Sequence, residues 1–196
     1  MTTSVQRGRA AAMPMEERRS TIVAATLPLF LDQGAAITTR EIAQAAGIAE
    51  GTIFRVFPDK TALLDAVIQA ALDPTPVNNA IEKIDPNLPF DGRLEAAVEI
   101  LRKRTLYLFR VFSAAAGTTR GGQPARSHDF PALTEILATE ADRLSRPPAD
   151  AARVLRGLTF ACVHPSFGTE TPLTSQDIVS VFLDGIRRHD DKDASC

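Results

Sequence analysis

Residues 38–60, "TTREIAQAAGIAEGTIFRVFPDK", constrain the fold of this chain more than any other stretch. The pattern changes about every eight residues, with Gly47 at one break and Pro58 at the last. It predicts two short helices, 40–46 and 50–57, joined by a tight turn. Gly47 can adopt the positive φ that such a turn requires, because it has no Cβ atom. The stretch is therefore typical of a helix-turn-helix.

Helical patterns continue on both sides of this stretch. Apolar residues at helical spacing predict a first helix over 16–33 that ends at Gly34, with a bend at Pro28. Thr39 is expected to cap the second helix, and Asp59 to cap a fourth helix that continues to Leu72.

The sequence after Leu72 contains several prolines and predicts a hinge over 73–92. Four further helices are predicted beyond it, over 91–115, 129–145, 148–163 and 174–188. Thr174 and Asp177 have the spacing of a capping box at the start of the last helix. The segment 117–127 reads as a loop, and no segment reads as a strand. The predicted fold is all-α.

Composition excludes several classes of protein. The chain has 196 residues, 44% hydrophobic and 23% charged, with a net charge of −2, which is typical of a folded, water-soluble protein. No apolar run is long enough to cross a membrane, and the polar, basic N-terminus is not a secretory signal. Cys162 and Cys196 suggest no disulfide framework, so we expect a cytoplasmic protein. No cofactor motif or metal-ligand spacing is present.

The predicted helix-turn-helix leaves an unusual surface. Its apolar side chains are expected to form one core, comprising Ile42, Ile48, Ile53 and Phe57 with Phe30 and Leu63. The residues left wholly or partly outside are Glu50, Gly51, Thr52, Phe54, Arg55 and Val56. Small and apolar side chains suit close approach to the DNA major groove, where thymine methyl groups and base edges are exposed. From the pattern alone, an ordinary packed helical bundle remains the alternative.

The stretch "TTREIAQAAGIAEGTIFRVFPDKTALLDAV" resembles the DNA-binding domain of the tetracycline-repressor (TetR/AcrR) family of bacterial transcription regulators. The similarity covers residues 18–70 in detail. The residues that carry it are Thr39, Ile42-Ala43, Ala46-Gly47, Gly51-Thr52-Ile53-Phe54, Phe57, Lys60 and Leu63-Leu64. The resemblance implies an N-terminal three-helix DNA-binding domain, followed by a helical bundle that binds a ligand and forms a homodimer.

The resemblance also implies roles for individual residues. Thr39, Arg40 and Lys60 are expected to contact backbone phosphates. Thr52, Phe54 and Arg55 lie on the recognition helix, and Gly51 would let its backbone approach the DNA. Arg55 is the candidate for a direct base contact, because arginine can bond guanine O6 and N7 together.

Four residues depart from the family's pattern, since members often carry a Ser-Lys pair where this chain has Ala49 and Glu50, and Tyr or His where it has Phe54 and Val56. Ala49 removes a usual N-cap. Glu50 places a negative charge near DNA. It can be interpreted as an acceptor for a cytosine amino group or as a residue that complements the helix dipole.

The C-terminal half is expected to provide a dimer interface and a small-molecule pocket, as the resemblance implies. The candidate interface residues are Val154, Leu158, Cys162, Ile178, Val181, Phe182 and Gly185. The candidate pocket residues are Tyr107, Phe109, Phe112, Phe130, Leu133, Phe160 and His164. For both sets, ordinary burial in the monomer core is the alternative.

The predicted organisation has four parts. They are a flexible basic arm (1–15), a helix-turn-helix domain (16–60), a connecting helix (61–72) and a ligand-binding and dimerisation domain (73–196). The predicted function is that of a repressor whose dimer binds palindromic double-stranded DNA and is released by a small apolar effector. A regulator that lacks a ligand or activates transcription is the first alternative. A helical enzyme or a partner-binding module is the more remote one.

Overall fold

The computed structural model describes residues 14–116, 130–164 and 173–187. Within these ranges the chain is helical, with one isolated β-bridge between Leu144 and Arg187 and no strand, so the all-α prediction is confirmed. No helix in the same ranges is both long and apolar enough to cross a bilayer. The loop predicted at 117–127 and nearly all of the predicted basic arm lie outside the described residues.

The described residues form two compact units. The N-terminal unit comprises residues 14–71 with 113–116, and the C-terminal unit comprises residues 72–112, 130–164 and 173–187.

The N-terminal unit is built on four helices. They are α1 (Met15–Gln33), α2 (Thr39–Ala46), α3 (Glu50–Val56) and α4 (Lys60–Leu72, whose last residue is counted with the other unit). Helix α1 packs against both α2 and α3, and α2 packs against α3. A 3-10 turn, Gly34–Ala36, follows α1. The two short helices and the turn between them therefore form the predicted helix-turn-helix.

Fully buried side chains hold the N-terminal unit together. Those with no more than 1% exposure include Ile22, Phe30, Ile37, Ile42, Ile53, Phe57 and Leu63. Ile48, predicted to join this core, is only partly buried. Each fully buried side chain of this size contributes roughly 1.5–3 kcal/mol through the hydrophobic effect. This core fixes which sides of α2 and α3 remain exposed.

Gly34 and Gly47 are the glycines with a positive φ among the described residues. Gly47 ends α2 with φ 66° and ψ 32°, which confirms the conformation predicted for the turn. Gly34 ends α1 with φ 60°, and a Cβ atom added there would lie 2.9 Å from the carbonyl oxygen of Ala114. Gly34 is therefore required both by its backbone conformation and by lack of space.

Within the described ranges, five helices build the C-terminal unit. They are α5 (Thr75–Glu82), α6 (Phe90–Ala114, whose last two residues are counted with the N-terminal unit), α7 (Pro131–Ala138), α8 (Pro148–Val163) and α9 (Ser175–Ile186). Helix α7 packs on α5 and α8, and α8 packs on α9. One continuous core joins them, and it includes Leu94, Leu101, Leu133, Leu137, Leu155, Ile178 and Phe182.

The helix bounds agree with the prediction in some places and not in others. Helix α8 has the predicted bounds, and Thr174 and Asp177 form the predicted capping box of α9. The predicted helix over 129–145 is wrong in its second half, since α7 ends at Ala138 and a 3-10 turn follows at Ala141–Arg143. The predicted hinge over 73–92 contains α5, because Pro74 and Pro76 fall before and within the first turn, where proline is tolerated.

Candidate nucleic-acid interface and ligand pocket

The first turn of α2 is fixed by a capping box. Thr38 is the N-cap, and its hydroxyl accepts a hydrogen bond from the backbone N–H of Glu41 at 3.2 Å. The Glu41 carboxylate accepts from the backbone N–H of Thr38 at 2.8 Å and from its hydroxyl at 2.7 Å. These bonds from Thr38 hold the pKa of the Glu41 carboxyl below its usual range. The prediction that Thr39 caps this helix is therefore wrong by one residue.

Thr39 is instead the first residue of α2, and its side chain contacts α3. The Thr39 hydroxyl donates a hydrogen bond to the Glu50 carboxylate at 2.5 Å. Glu50 is the first residue of α3 and is exposed. The predicted phosphate contact and the unexpected acid are thus hydrogen-bonded to each other, a relation that neither interpretation of Glu50 from the sequence includes.

Helix α3 presents most of its surface outward. Ile53 is its only buried residue, and Ala49 at the N-cap makes no side-chain hydrogen bond. Glu50, Gly51, Phe54 and Arg55 are exposed, while Thr52 and Val56 are half-buried. A Cβ atom added to Gly51 would meet no atom within 4 Å. The side of α3 opposite Ile53 is consequently free to approach another molecule.

This exposed face combines an aromatic ring with positive charge. The Phe54 side chain is 50% exposed, although a large apolar side chain is more stable when buried. The guanidinium groups of Arg40 and Arg55 are exposed, and neither forms an ion pair in the described part of the chain. An exposed guanidinium of this kind can contact both phosphates and base edges.

The side chain of Lys60, a predicted phosphate contact, is held by a hydrogen bond within the fold. It begins α4, and its Nζ donates to the carbonyl oxygen of Ala35 at 2.7 Å. Asp59 caps the same helix as predicted, since its carboxylate accepts from the backbone N–H of Ala62 at 2.8 Å. An ammonium group has three N–H donors, so two remain for a phosphate.

Arg19, near the start of α1, has a packing role that the sequence does not indicate. Its guanidinium lies 4.5 Å from the ring centre of Phe57, at the C-terminal end of α3. This cation–π contact helps to fix α3 against α1. Residues so far apart in sequence have no common spacing, so no local signal points to the pair.

Three of the predicted pocket residues lie together in the C-terminal unit. The ring centres of Phe109 and His164 are 4.7 Å apart, and those of Phe109 and Phe160 are 5.6 Å apart. Phe160 is 49% exposed, so this aromatic cluster has an open side. Exposed aromatic faces can hold a planar or apolar ligand by stacking and edge contacts.

The other predicted pocket residues are dispersed. Leu133 is fully buried in the core, whereas Phe112 is 44% exposed. Phe130 packs partly on the core, lines a separate surface cavity of about 360 Å³ and has the Arg156 guanidinium 5.3 Å from its ring centre. Tyr107 is half-buried, and this burial raises its pKa.

The predicted dimer residues fall into two groups. Val154, Val181 and Gly185 are exposed. Ile178 and Phe182 are buried in the core of their own unit, so they are not available to a second copy. Leu158 and Cys162 are half-buried against the same core, and burial raises the pKa of the Cys162 thiol. In the described part of the chain, no three His, Cys, Asp or Glu side chains cluster as metal ligands would.

Comparison with known proteins gives one sequence match and many structural matches. Residues 22–67 match the family model "Bacterial regulatory proteins, tetR family". This range contains α2, α3 and the turn between them. No curated protein sequence matches the chain.

Three solved structures illustrate the structural similarity. A protein described as a TetR-family transcriptional regulator from Mesorhizobium loti MAFF303099 is 18% identical with a TM-score of 0.67, and the match covers 90% of this chain and 100% of that one. NalD of Pseudomonas aeruginosa, the secondary repressor of the MexAB-OprM multidrug efflux pump, is 17% identical with a TM-score of 0.50, over 89% and 99% of the two chains. RolR in complex with resorcinol is 17% identical with a TM-score of 0.50, over 88% of each chain.

At these identities the structural matches establish the fold, while the sequence match lies on the helix-turn-helix itself. The family model describes bacterial regulatory proteins, and the Mesorhizobium loti structure is described as a transcriptional regulator. Residues 22–67 therefore carry a tetR-type helix-turn-helix, and over most of its length the chain has the fold of solved proteins described as TetR-family transcription regulators.

Proposed function

We propose that the protein is a homodimeric repressor. Its α3 helices read a palindromic operator, and a small, largely apolar ligand in the C-terminal unit releases it from DNA. The observation that carries the proposal is the outer face of α3, where the consecutive residues Phe54 and Arg55 are both exposed and Arg55 forms no ion pair within the described ranges. Such a face costs stability in the free protein, so a binding partner is its most direct explanation.

The residues of this face match the chemistry of the major groove. Arg55 can donate two hydrogen bonds to guanine O6 and N7, which no other base pair accepts in the same geometry. Phe54 and the Thr52 methyl group suit contact with thymine methyl groups. The open space at Gly51 allows the first turn of α3 to come close to the base edges. Arg55 is therefore assigned the main base contact.

Phosphate contacts would position α3 in the groove. Arg40 is exposed on the first turn of α2, and Lys60 retains two ammonium donors on the first turn of α4. Contacts of this type are independent of sequence and depend strongly on salt, because each releases counterions from the DNA. They supply affinity, whereas Arg55 supplies sequence preference.

Exposed apolar residues on α8 and α9 support dimer formation. Val154 on α8 is 48% exposed and Val181 on α9 is 56% exposed. Gly157 and Gly185 lie on the same helices in open surroundings, so another helix could approach closely at either. A two-fold dimer presents two recognition helices, and it therefore reads a site with two-fold symmetry.

The aromatic cluster of Phe109, Phe160 and His164 is the proposed ligand contact. RolR, which shares the fold, binds the aromatic compound resorcinol, and NalD acts as a repressor. An apolar or aromatic ligand could cover the exposed Phe160 ring, while His164 could provide a polar contact. The ligand releases DNA only if it binds the conformation unsuited to DNA more tightly.

A fluorescence-anisotropy titration tests DNA binding directly. The protein is titrated against a labelled duplex from its own promoter region and against a random duplex of equal length, at several salt concentrations. We expect binding that weakens as salt rises, and a preference for the promoter duplex that Arg55→Ala reduces by roughly 10-fold or more. Arg146→Ala, which removes an exposed arginine of the C-terminal unit, is the matched control. Binding without salt dependence, or Arg55→Ala with its preference intact, would contradict the proposal.

A further inference from the structure

We propose that Glu50 is an intramolecular competitor of the DNA backbone. Its carboxylate accepts the hydrogen bond that the Thr39 hydroxyl donates. A DNA phosphate can accept from Thr39 only after it has displaced the Glu50 carboxylate. Glu50 thereby lowers affinity for DNA of any sequence. The inference rests on the proposed function, since it concerns the same DNA-binding surface.

The argument begins with the donors available at Thr39. A threonine hydroxyl has a single O–H donor and otherwise only accepts. In the structure this donor is directed at the Glu50 carboxylate, 2.5 Å away. A backbone phosphodiester is ionised at neutral pH and carries no proton, so it can only accept. Thr39 can therefore donate to Glu50 or to a phosphate, but not to both.

The other predicted phosphate contacts are not limited in this way. Lys60 donates one bond to Ala35 and keeps two N–H donors free. Arg40 has five N–H donors and forms no ion pair in the described part of the chain. Exclusive competition thus arises at Thr39 alone among these three residues.

The competition is set by the packing of the two short helices. Thr39 and Glu50 are each the first residue of their helix, and α2 packs directly on α3. Both side chains therefore lie at the start of the predicted DNA-binding surface, although they are 11 residues apart in sequence. Glu50 is exposed, so a phosphate can reach the site without opening the core.

A double-mutant cycle separates this competition from simple charge repulsion. Glu50→Ala frees the Thr39 hydroxyl, and Thr39→Val removes the hydroxyl while keeping the β-branched shape. Affinity for a random duplex is measured for the wild type, both single variants and the double variant. We expect Glu50→Ala to tighten binding in the wild-type background at least about tenfold more than in the Thr39→Val background, since a hydrogen bond to a charged group has a value of this order.

Competition for Thr39 also predicts how the effect of Glu50→Ala depends on DNA sequence. The gain from Glu50→Ala should be the same factor for the promoter duplex as for the random duplex, because a backbone contact carries no sequence information. Asp65→Asn removes an exposed acid on α4, and its effect should be equal in the wild-type and Thr39→Val backgrounds. Glu50→Gln removes the charge but retains an acceptor for Thr39, so its gain should be smaller than that of Glu50→Ala. Glu50→Leu, which has no acceptor, provides a second variant if Glu50→Ala does not fold.

The outcomes distinguish failure of the inference from failure of the proposed function. If the wild type binds DNA but the gain from Glu50→Ala is equal in both backgrounds, Glu50 acts only through its charge and the inference is overturned. A gain confined to the promoter duplex overturns it as well, in favour of a base contact. If the wild type binds neither duplex, the proposed function fails and the inference fails with it.

Discussion

The Nζ atom of Lys60 donates a hydrogen bond to the carbonyl oxygen of Ala35 at 2.7 Å. Ala35 belongs to the 3-10 turn after α1, and Lys60 is the first residue of α4. The bond therefore connects two segments that are 25 residues apart within the N-terminal unit. It gives one side chain both a structural role and, through its remaining donors, a proposed role at the DNA backbone.

Replacing Lys60 with methionine should affect both roles. Lys60→Met keeps most of the aliphatic chain but removes the ammonium group, so the Ala35 carbonyl loses its partner. We expect the free energy of unfolding in urea to fall by about 1 kcal/mol. The slope of log affinity against log salt should become less steep by about one unit, since one phosphate contact is lost.

The control for this experiment is Lys83→Met, which removes an exposed lysine at the end of α5. It should leave both quantities close to those of the wild type. If Lys60→Met changes stability but not the salt slope, Lys60 is structural only and its assignment as a phosphate contact is wrong.

Gly51 offers a test in which stability and DNA binding move in opposite directions. It lies inside α3, and a Cβ atom there would meet nothing in the free protein. Gly51→Ala should therefore stabilise the fold by roughly 0.5–1 kcal/mol, because alanine loses less conformational entropy in a helix. The same methyl group would stand between α3 and the base edges, so we expect weaker DNA binding.

Thermal unfolding and fluorescence anisotropy, measured on the same preparation of Gly51→Ala, test whether Gly51 lies at the DNA contact surface. A higher melting temperature together with at least severalfold weaker binding agrees with close approach at this position. A variant that is more stable and binds DNA as tightly as the wild type would show that Gly51 does not lie at the contact surface.

Local features of the helix-turn-helix could be predicted from the sequence because short-range geometry determines them. Gly47 ends α2 in the left-handed conformation, and Ile42 and Ile53 are buried at the predicted positions. The spacing of Thr38 and Glu41 in the sequence also indicates the capping box, although the prediction assigned the cap to Thr39. That error comes from two adjacent threonines, of which only one has an acid three residues later.

Features that depend on packing between distant segments could not be predicted. The Thr39–Glu50 and Lys60–Ala35 hydrogen bonds exist only because the helices are packed against one another. The same limit applies to α9, whose apolar residues lie on two sides. Only packing shows that Phe182 belongs to the core of its own unit and that Val181 is exposed.

The capping box of α2 predicts a specific dependence of stability on pH. Hydrogen bonds from Thr38 lower the pKa of Glu41 in the folded protein, so the ionised form is favoured by folding. The resulting stabilisation is fully present above the unfolded pKa of about 4.3 and is lost as pH falls through the lower folded pKa. Glu41→Gln cannot ionise, so its stability should change less than that of the wild type between about pH 5 and pH 2.

Urea unfolding at a series of pH values compares the two proteins. Asp32→Asn, which removes an exposed acid at the end of α1, is a matched control and should retain the pH profile of the wild type. Parallel pH profiles for Glu41→Gln and the wild type would show that the capping box contributes nothing measurable to stability.

Val181 tests the proposed dimer without disturbing the monomer core. Its side chain is 56% exposed, whereas Ile178 and Phe182 on the same helix are buried. Val181→Asp places a charge on the exposed face of α9, and burying an unpaired carboxylate in an interface would cost several kcal/mol. We expect a folded monomer by analytical ultracentrifugation, with normal helical content and operator affinity reduced by at least about 100-fold, because one half-site alone binds weakly.

Ala141→Asp adds the same charge in the exposed 3-10 turn before α8 and should leave a dimer. A dimeric Val181→Asp protein would show that this face of α9 is not the interface. If Val181→Asp does not fold, the same measurement is made on Val181→Ser, which weakens association while adding no charge.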